Sequence, residues 1–149
     1  MVETTRTFEV QRDPSEVLQY LTDFSRAEEW DPGTVSCSQI GSGQVEVGTR
    51  WHNVSKFMGN QVELTYELVR LQDNRITFEG SNDSATTTDD IKVVAGESPG
   101  SASVTYHADL TLQGVAKLAS PAAKIAFEKL GDETVTSLTR ALENNIPES

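Results

Sequence analysis

The chain has 149 residues, 36% of them hydrophobic and 23% charged, enough for one domain with a core that needs neither disulfides nor a structural metal. Its formal net charge of -11 repels phosphate backbones, which argues against nucleic acid or an anionic membrane as a partner. The single cysteine, Cys37, cannot form an intrachain disulfide, and no apolar run nears the ~20 residues a bilayer span requires.

With no basic and then apolar leader after Met1, the expected location is the cytoplasm. The elements then read in chain order. Thr5 to Val10 is a first strand, with Phe8 and Val10 on one face. Asp13-Pro14-Ser15-Glu16 is a helix start, with Asp13 as cap and Pro14 in the first turn, and Val17, Leu18 and Leu21 form a short apolar face. A second brief helix covers Ser25 to Trp30 and stops at Asp31-Pro32-Gly33.

From Thr34 to about Leu112 the period is two. Strands run over Val35 to Ile40 and Thr49 to Met58, and Gly59-Asn60 is read as the hairpin turn into Gln61 to Arg70. Val62, Leu64, Tyr66 and Leu68 share a face there. Asp73-Asn74 and Asn82-Asp83 are further turns, with Ile76 and Phe78 paired on one strand and Ile91 and Val93 on the next. The last strand places Val104, Tyr106, Ala108, Leu110 and Leu112 on one face and polar residues on the other. Period 3.6 then returns: Ser120-Pro121 opens a long helix with Ala123, Phe127, Leu130, Thr134, Leu138 and Leu142 in one stripe, fraying by Asn144-Asn145.

The expected architecture is α+β: a six- to seven-stranded curved antiparallel sheet wrapped around one long C-terminal helix, with two short helices after strand 1, all in one domain. One helix, ~10 Å across, cannot fill the concavity of so wide a sheet. The space between them is the expected site.

The same residues carry a resemblance. Asp13-Pro14-Ser15-Glu16-Val17, Tyr20 to Phe24 leading to Trp30-Asp31-Pro32-Gly33, and Val47-Gly48-Thr49-Arg50-Trp51 come in that order. Leu64-Thr65-Tyr66-Glu67-Leu68, Val104-Thr105-Tyr106, Leu112-Gln113-Gly114 and Ser120-Pro121 follow. Together they resemble the START/Bet v 1-like (SRPBCC) superfamily, and within it the polyketide cyclase/dehydrase-like group. The resemblance implies a helix-grip fold, a small hydrophobic partner, and a pocket entrance near Trp30. Cyclases of this kind are expected to hold an arginine, hydroxyls and aromatics inside the pocket. Here Arg6 and Arg70 are read at strand ends, and Arg50 and Arg75 on faces opposite the apolar set, so no arginine is expected at mid-strand facing inward.

The candidate chemistry is sparse. His52 and His107 fall on the outer faces of their strands. No metal motif or cofactor loop is present, so neither a metal nor a cofactor is expected. Cys37 has no basic partner nearby and reads as an inert thiol. Asp89 shares a face with Thr87, Ile91 and Val93. It is either a pocket carboxylate with a raised pKa or, because buried unpaired acids are rare, a wet acid near the strand end. Gly131 either relieves crowding of the helix against the sheet or admits a ligand.

The expected pocket side chains are Trp30, Trp51, Phe57, Leu64, Tyr66, Phe78, Ile91, Tyr106, Ala108, Phe127, Leu130 and Leu138. Tyr66 and Tyr106 serve as polar contacts, and with Asp89 they are the catalytic candidates. The favoured reading is a binder of a polyketide, lipid or isoprenoid-like molecule. A polyketide cyclase or dehydratase is the alternative, and an interaction module with a vestigial pocket the third. Monomer and homodimer remain open.

Overall fold

A computed structural model describes residues 1–112 and 121–147. Strand β1 (Val2–Val10) leads into helix α1 (Pro14–Thr22), a 3-10 turn (Phe24–Arg26) and the single-turn helix α2 (Ala27–Trp30). Then come β2 (Thr34–Gln39), β3 (Arg50–Phe57), β4 (Asn60–Gln72), β5 (Arg75–Ser81), β6 (Ala85–Ala95), β7 (Ala102–Leu112) and helix α3 (Pro121–Asn145). The strands form one antiparallel seven-stranded sheet in the order β1-β7-β6-β5-β4-β3-β2, curved around α3 in a helix-grip fold. The expected cap at Ser120 and the Gln113-Gly114 stretch lie outside the described residues.

The local signals act as their chemistry requires. The Asp13 carboxylate accepts from the Ser15 backbone N–H at 3.3 Å and Pro14 occupies the first turn of α1. Asp73 and Asn74 take φ of 52° and 62°, the left-handed pair that matches strand twist in a two-residue hairpin. The preceding hairpin is displaced by one residue from the sequence reading. Phe57 pairs with Asn60, so the turn is Met58-Gly59, with φ of 53° and 81°. The glycine supplies only its second position, and Met58 takes the first left-handed one although its side chain disfavours it.

β1 begins at Val2, three residues earlier than its sequence reading, because its pairing with β7 continues through Thr4–Ala108 to Val2–Leu110. Arg6 is therefore at mid-strand, on the same face as Val2, Thr4, Phe8 and Val10, and the expectation of no inward arginine at mid-strand is corrected. Its guanidinium does not enter the concavity. It turns to α3, donating to the Glu128 carbonyl at 3.1 Å and to the carboxylates of Asp132 at 3.0 Å and Glu128 at 3.2 Å. Arg12 holds the far end of the same helix by donating to the carbonyls of Glu143 and Ile146, which replaces the basic residue missing from the last turn.

The buried stripe of α3 is Ala123, Phe127, Gly131, Thr134, Leu138, Ala141 and Leu142, with Leu130 half-buried beside it. Gly131 stands where the helix comes nearest β1. A Cβ there would lie 2.5 Å from Oγ1 of Thr4 and 3.3 Å from Cζ of Arg6, so the glycine relieves crowding and does not admit a ligand. Gly131→Ala is expected to lose about 1–3 kcal/mol of stability in urea denaturation, although alanine favours a helix by ~1 kcal/mol. Adding Thr4→Ala should return most of that loss. A Gly131→Ala chain more stable than its parent would show that the helix can lift from β1 without penalty.

Candidate functional site

Two features fill the concave face, and they divide it unequally. One is an aromatic cluster centred on Phe24, which the 3-10 turn drives into the sheet. Its ring lies 4.4 Å from Tyr66 and from Phe78, and 6.1 Å from Trp30 and from Trp51. Asp23 sets this turn, accepting from the backbone N–H of Ser25 and, at 3.3 Å, from Nε1 of Trp51. Sequence reasoning passed over Phe24, which follows a capping residue and has no periodic neighbour.

Because Phe24 occupies that end, several expected pocket residues are solid core. Trp51, Phe78, Ile91 and Leu138 are buried and do not line the remaining space. Nor does Trp30, expected at an entrance. It is 1% exposed, edge-on to Phe24 and to Tyr106, and its Nε1–H has no acceptor among the described residues. Its carbonyl accepts from Ser137 Oγ at 2.5 Å, which ties α2 to α3.

The second feature is a cavity of about 90 Å³ at the other end. Phe57, Leu64, Tyr66, Tyr106, Ala108, Phe127 and Leu130 line it, as the alternation of their strands and the helix stripe imply. Val62 and Leu110 add further apolar wall. Gly33, the exposed Lys56 and half-buried Phe57 and Val62 form the mouth. Phe57 and Phe127 meet edge to face there, with ring centroids 5.8 Å apart.

The sheet register explains the hollow. Trp51, Tyr66, Gly80, Thr87 and Leu110 form one row across five strands, and Gly80 leaves that row without a side chain at its centre. The Tyr66 ring leans into the gap, so close that a Cβ on Gly80 would sit 2.8 Å from its Cζ, and Thr87 lies on the far side at 2.9 Å. The Thr87 hydroxyl on that side donates to the Asp109 carbonyl at 2.8 Å.

Asp89 lies inside this cavity, and the expectation of a wet acid near the strand end is corrected. β6 begins at Ala85 and is paired on both sides, by β5 and β7, so Asp89 is a mid-strand residue facing inward, 4% exposed. Its neighbour Ala108 on β7 is small, and the Tyr106 ring leans past it to donate to Oδ2 of Asp89 at 2.8 Å. Oδ1 has no partner among the described residues. Burial, then the nearby Asp31, push the Asp89 carboxyl up to about 7, against the opposing pull of the Tyr106 hydrogen bond. The adjacent Asp90 shows the contrast that strand parity creates. It faces outward, pairs with Arg75 and accepts from Thr77, and is held below its ordinary value chiefly by the arginine.

Asp31 is a second cavity acid that sequence reasoning did not single out. Its carboxylate accepts from the Gly33 N–H at 3.1 Å and from the Thr34 hydroxyl at 2.8 Å, and burial raises its pKa. Burial, followed by the field of Asp89, also raises both tyrosines well above their ordinary value, so both phenols are protonated donors.

The remaining candidates stand elsewhere. His52 and His107 are on the convex face, the first against Glu63 at 2.9 Å and the second against Thr5 at 2.7 Å. The Cys37 thiol is buried and pushed up to about 12, mainly by burial, which keeps it neutral. No group of three or more His, Cys, Asp or Glu among the described residues is placed to hold a metal ion. No helix among them is long and apolar enough to cross a membrane.

The fold recurs in solved structures. A START superfamily protein from Mycobacterium smegmatis superposes with a TM-score of 0.71 at 18% identity, covering 97% of this chain and 96% of its own. A protein from Thermus thermophilus gives 0.74 at 18%, with the same coverage of 97% and 96%. The Zhui aromatase/cyclase from Streptomyces gives 0.69 at 12%, covering 94% and 90%. No curated protein matches the sequence. The family described as polyketide cyclase / dehydrase and lipid transport matches residues 1–143, nearly the whole sheet and helix that enclose this cavity, and the chain belongs to that family.

Proposed function

We propose that this chain binds a small hydrophobic molecule, of polyketide, lipid or isoprenoid type, in the cavity between the sheet and α3. The observation that carries the reading is an apolar hollow from β3, β4, β7 and α3 on which a few polar groups converge: Asp89, Tyr66 and Tyr106. At about 90 Å³ the hollow is smaller than the roughly 300–1,000 Å³ of drug-sized sites. It admits a ring or chain end, and the rest of the ligand lies along the mouth between Phe57, Val62 and Leu130. The family description, which includes lipid transport, agrees with this.

The test is mass spectrometry of an organic extract from freshly purified protein, beside a Tyr66→Phe, Tyr106→Phe double variant. A stoichiometric apolar molecule is expected in the parent and depleted in the variant. Empty extracts, together with no calorimetric binding of simple alkylbenzenes, would remove the reading.

A polyketide cyclase or dehydratase is the second reading, favoured by one observation. A buried carboxyl near neutrality, hydrogen-bonded to a phenol, can exchange a proton with a bound carbonyl compound. This reading requires Asp89→Asn to abolish turnover of a poly-β-ketone while the chain stays folded.

A further inference from the structure

We propose that the molecule taken by this cavity carries a protonated amine on its apolar body, seated against Asp89; this rests on the binding reading above. Three observations converge on it. Two acids, Asp31 and Asp89, line the cavity, and the one basic residue among its described lining, Lys56, is exposed at the mouth. Oδ1 of Asp89, on a side chain 4% exposed and part of the cavity wall, accepts from nothing among the described residues. The inward arginine, Arg6, is fully engaged with α3 and leaves no cation to receive a carboxylate or phosphate.

A buried carboxylate with a free oxygen is costly unless a donor meets it, and an ammonium group is a donor that also brings the opposite charge. The groups facing Asp89 suit that arrangement. Phe78 on β5 and Ala108 on β7 flank it, Phe127 and Leu130 approach from α3, and the Tyr106 phenol already holds Oδ2. Asp31 and, from the outer face, Asp109 add negative potential, while the Tyr66 and Tyr106 rings offer faces that attract a cation. An anionic ligand of the same shape would meet like charge with no compensating cation inside.

Isothermal calorimetry with butylbenzene, phenylbutanol, phenylbutylamine and phenylbutanoate separates the outcomes, since the four share one apolar body. The amine is expected to bind about tenfold or more tighter than the acid, a difference of about 1.4 kcal/mol. Its affinity should rise between about pH 6 and pH 8 as Asp89 ionises. Asp89→Asn should bring amine and alcohol within about threefold and flatten that pH dependence. If the neutral compounds bind and the amine shows no advantage, or keeps it in Asp89→Asn, the amine assignment falls and the binding reading stands. If none of the four binds, the binding reading falls and takes this one with it.

Discussion

Asp89→Asn is expected to be more stable than the parent at pH 8 by about 2–4 kcal/mol and indistinguishable from it near pH 4. The Asp89 carboxyl sits at about 7 in the fold against an ordinary 3.8, so the folded chain holds this proton more tightly than the unfolded chain does. At about 1.4 kcal/mol per tenfold, a rise of roughly three (7 less 3.8) means that ionised Asp89 costs the fold up to about 4 kcal/mol. For an acid whose folded pKa is raised, stability is highest below the unfolded value. It falls as pH climbs from about 4 to about 7, and stays low above that. Asparagine keeps the shape and an oxygen to accept from Tyr106 but never ionises. Its amide N–H groups need a partner, which is why the gain stays below the full figure.

Urea denaturation of both chains across this range provides the check, and parallel profiles would show that Asp89 is not desolvated. The window is clean on its acid side. Glu29 and Asp90 have lowered values, so their contributions are present above the ordinary carboxylate range and are lost only as pH falls below it. Asp31 is raised by burial and slopes with Asp89, so a smaller decline should survive in the variant. Ionised Asp89 weakens the fold at neutral pH while only one of its two oxygens, Oδ2, accepts a hydrogen bond among the described residues. That cost is the strongest physical argument that the cavity, and not the core, determines this position.

How much of this could be read from sequence follows a physical divide. Parity and periodicity placed Tyr66, Leu64, Tyr106 and Ala108 on the concave face and Phe127 and Leu130 on the helix stripe. Those patterns are fixed by backbone geometry alone. Depth was not readable. Thr86, Thr87 and Thr88 resemble a polar strand end, yet pairing on both sides makes them the interior of a central strand and carries Asp89 into the cavity. Arg6 was misplaced for the same reason, since only the β7 register shows that β1 continues back to Val2.

The third omission is of another kind. Phe24 and Asp31 lie in the 3-10 turn and the Asp31-Pro32-Gly33 stop, where the turn signal explains the residues locally and hides what their side chains touch. Phe24 decides how much of the concavity stays open, and no period announces it. The inward aromatics divide between two tasks. One part packs on Phe24 and only the remainder borders the cavity.

Gly80→Ala should close the cavity. The added methyl would sit 2.8 Å from Cζ and 2.9 Å from Cε1 of Tyr66, with Cγ2 of Thr87 at 2.9 Å on the other side. Real Cβ contacts do not occur at such distances, so the ring must leave the row. It cannot retreat toward Phe24, whose ring already lies 4.4 Å away, and swings instead into the 90 Å³ hollow. Overpacking of this kind costs about 1–3 kcal/mol, partly offset by the conformational entropy alanine saves in a strand, up to about 1 kcal/mol. Butylbenzene binding should be lost with it. Tyr66→Ala removes the ring, and in that background Gly80→Ala keeps only the 2.9 Å contact with Cγ2 of Thr87 and should cost less. The two substitutions should therefore be coupled by about 1–2 kcal/mol in a double-mutant cycle, where independent sites would add. Additive stabilities with binding intact would mean that the ring has room the row does not show. Coupled stabilities with binding lost would identify Gly80, a residue with no side chain, as the reason this sheet has a cavity at all.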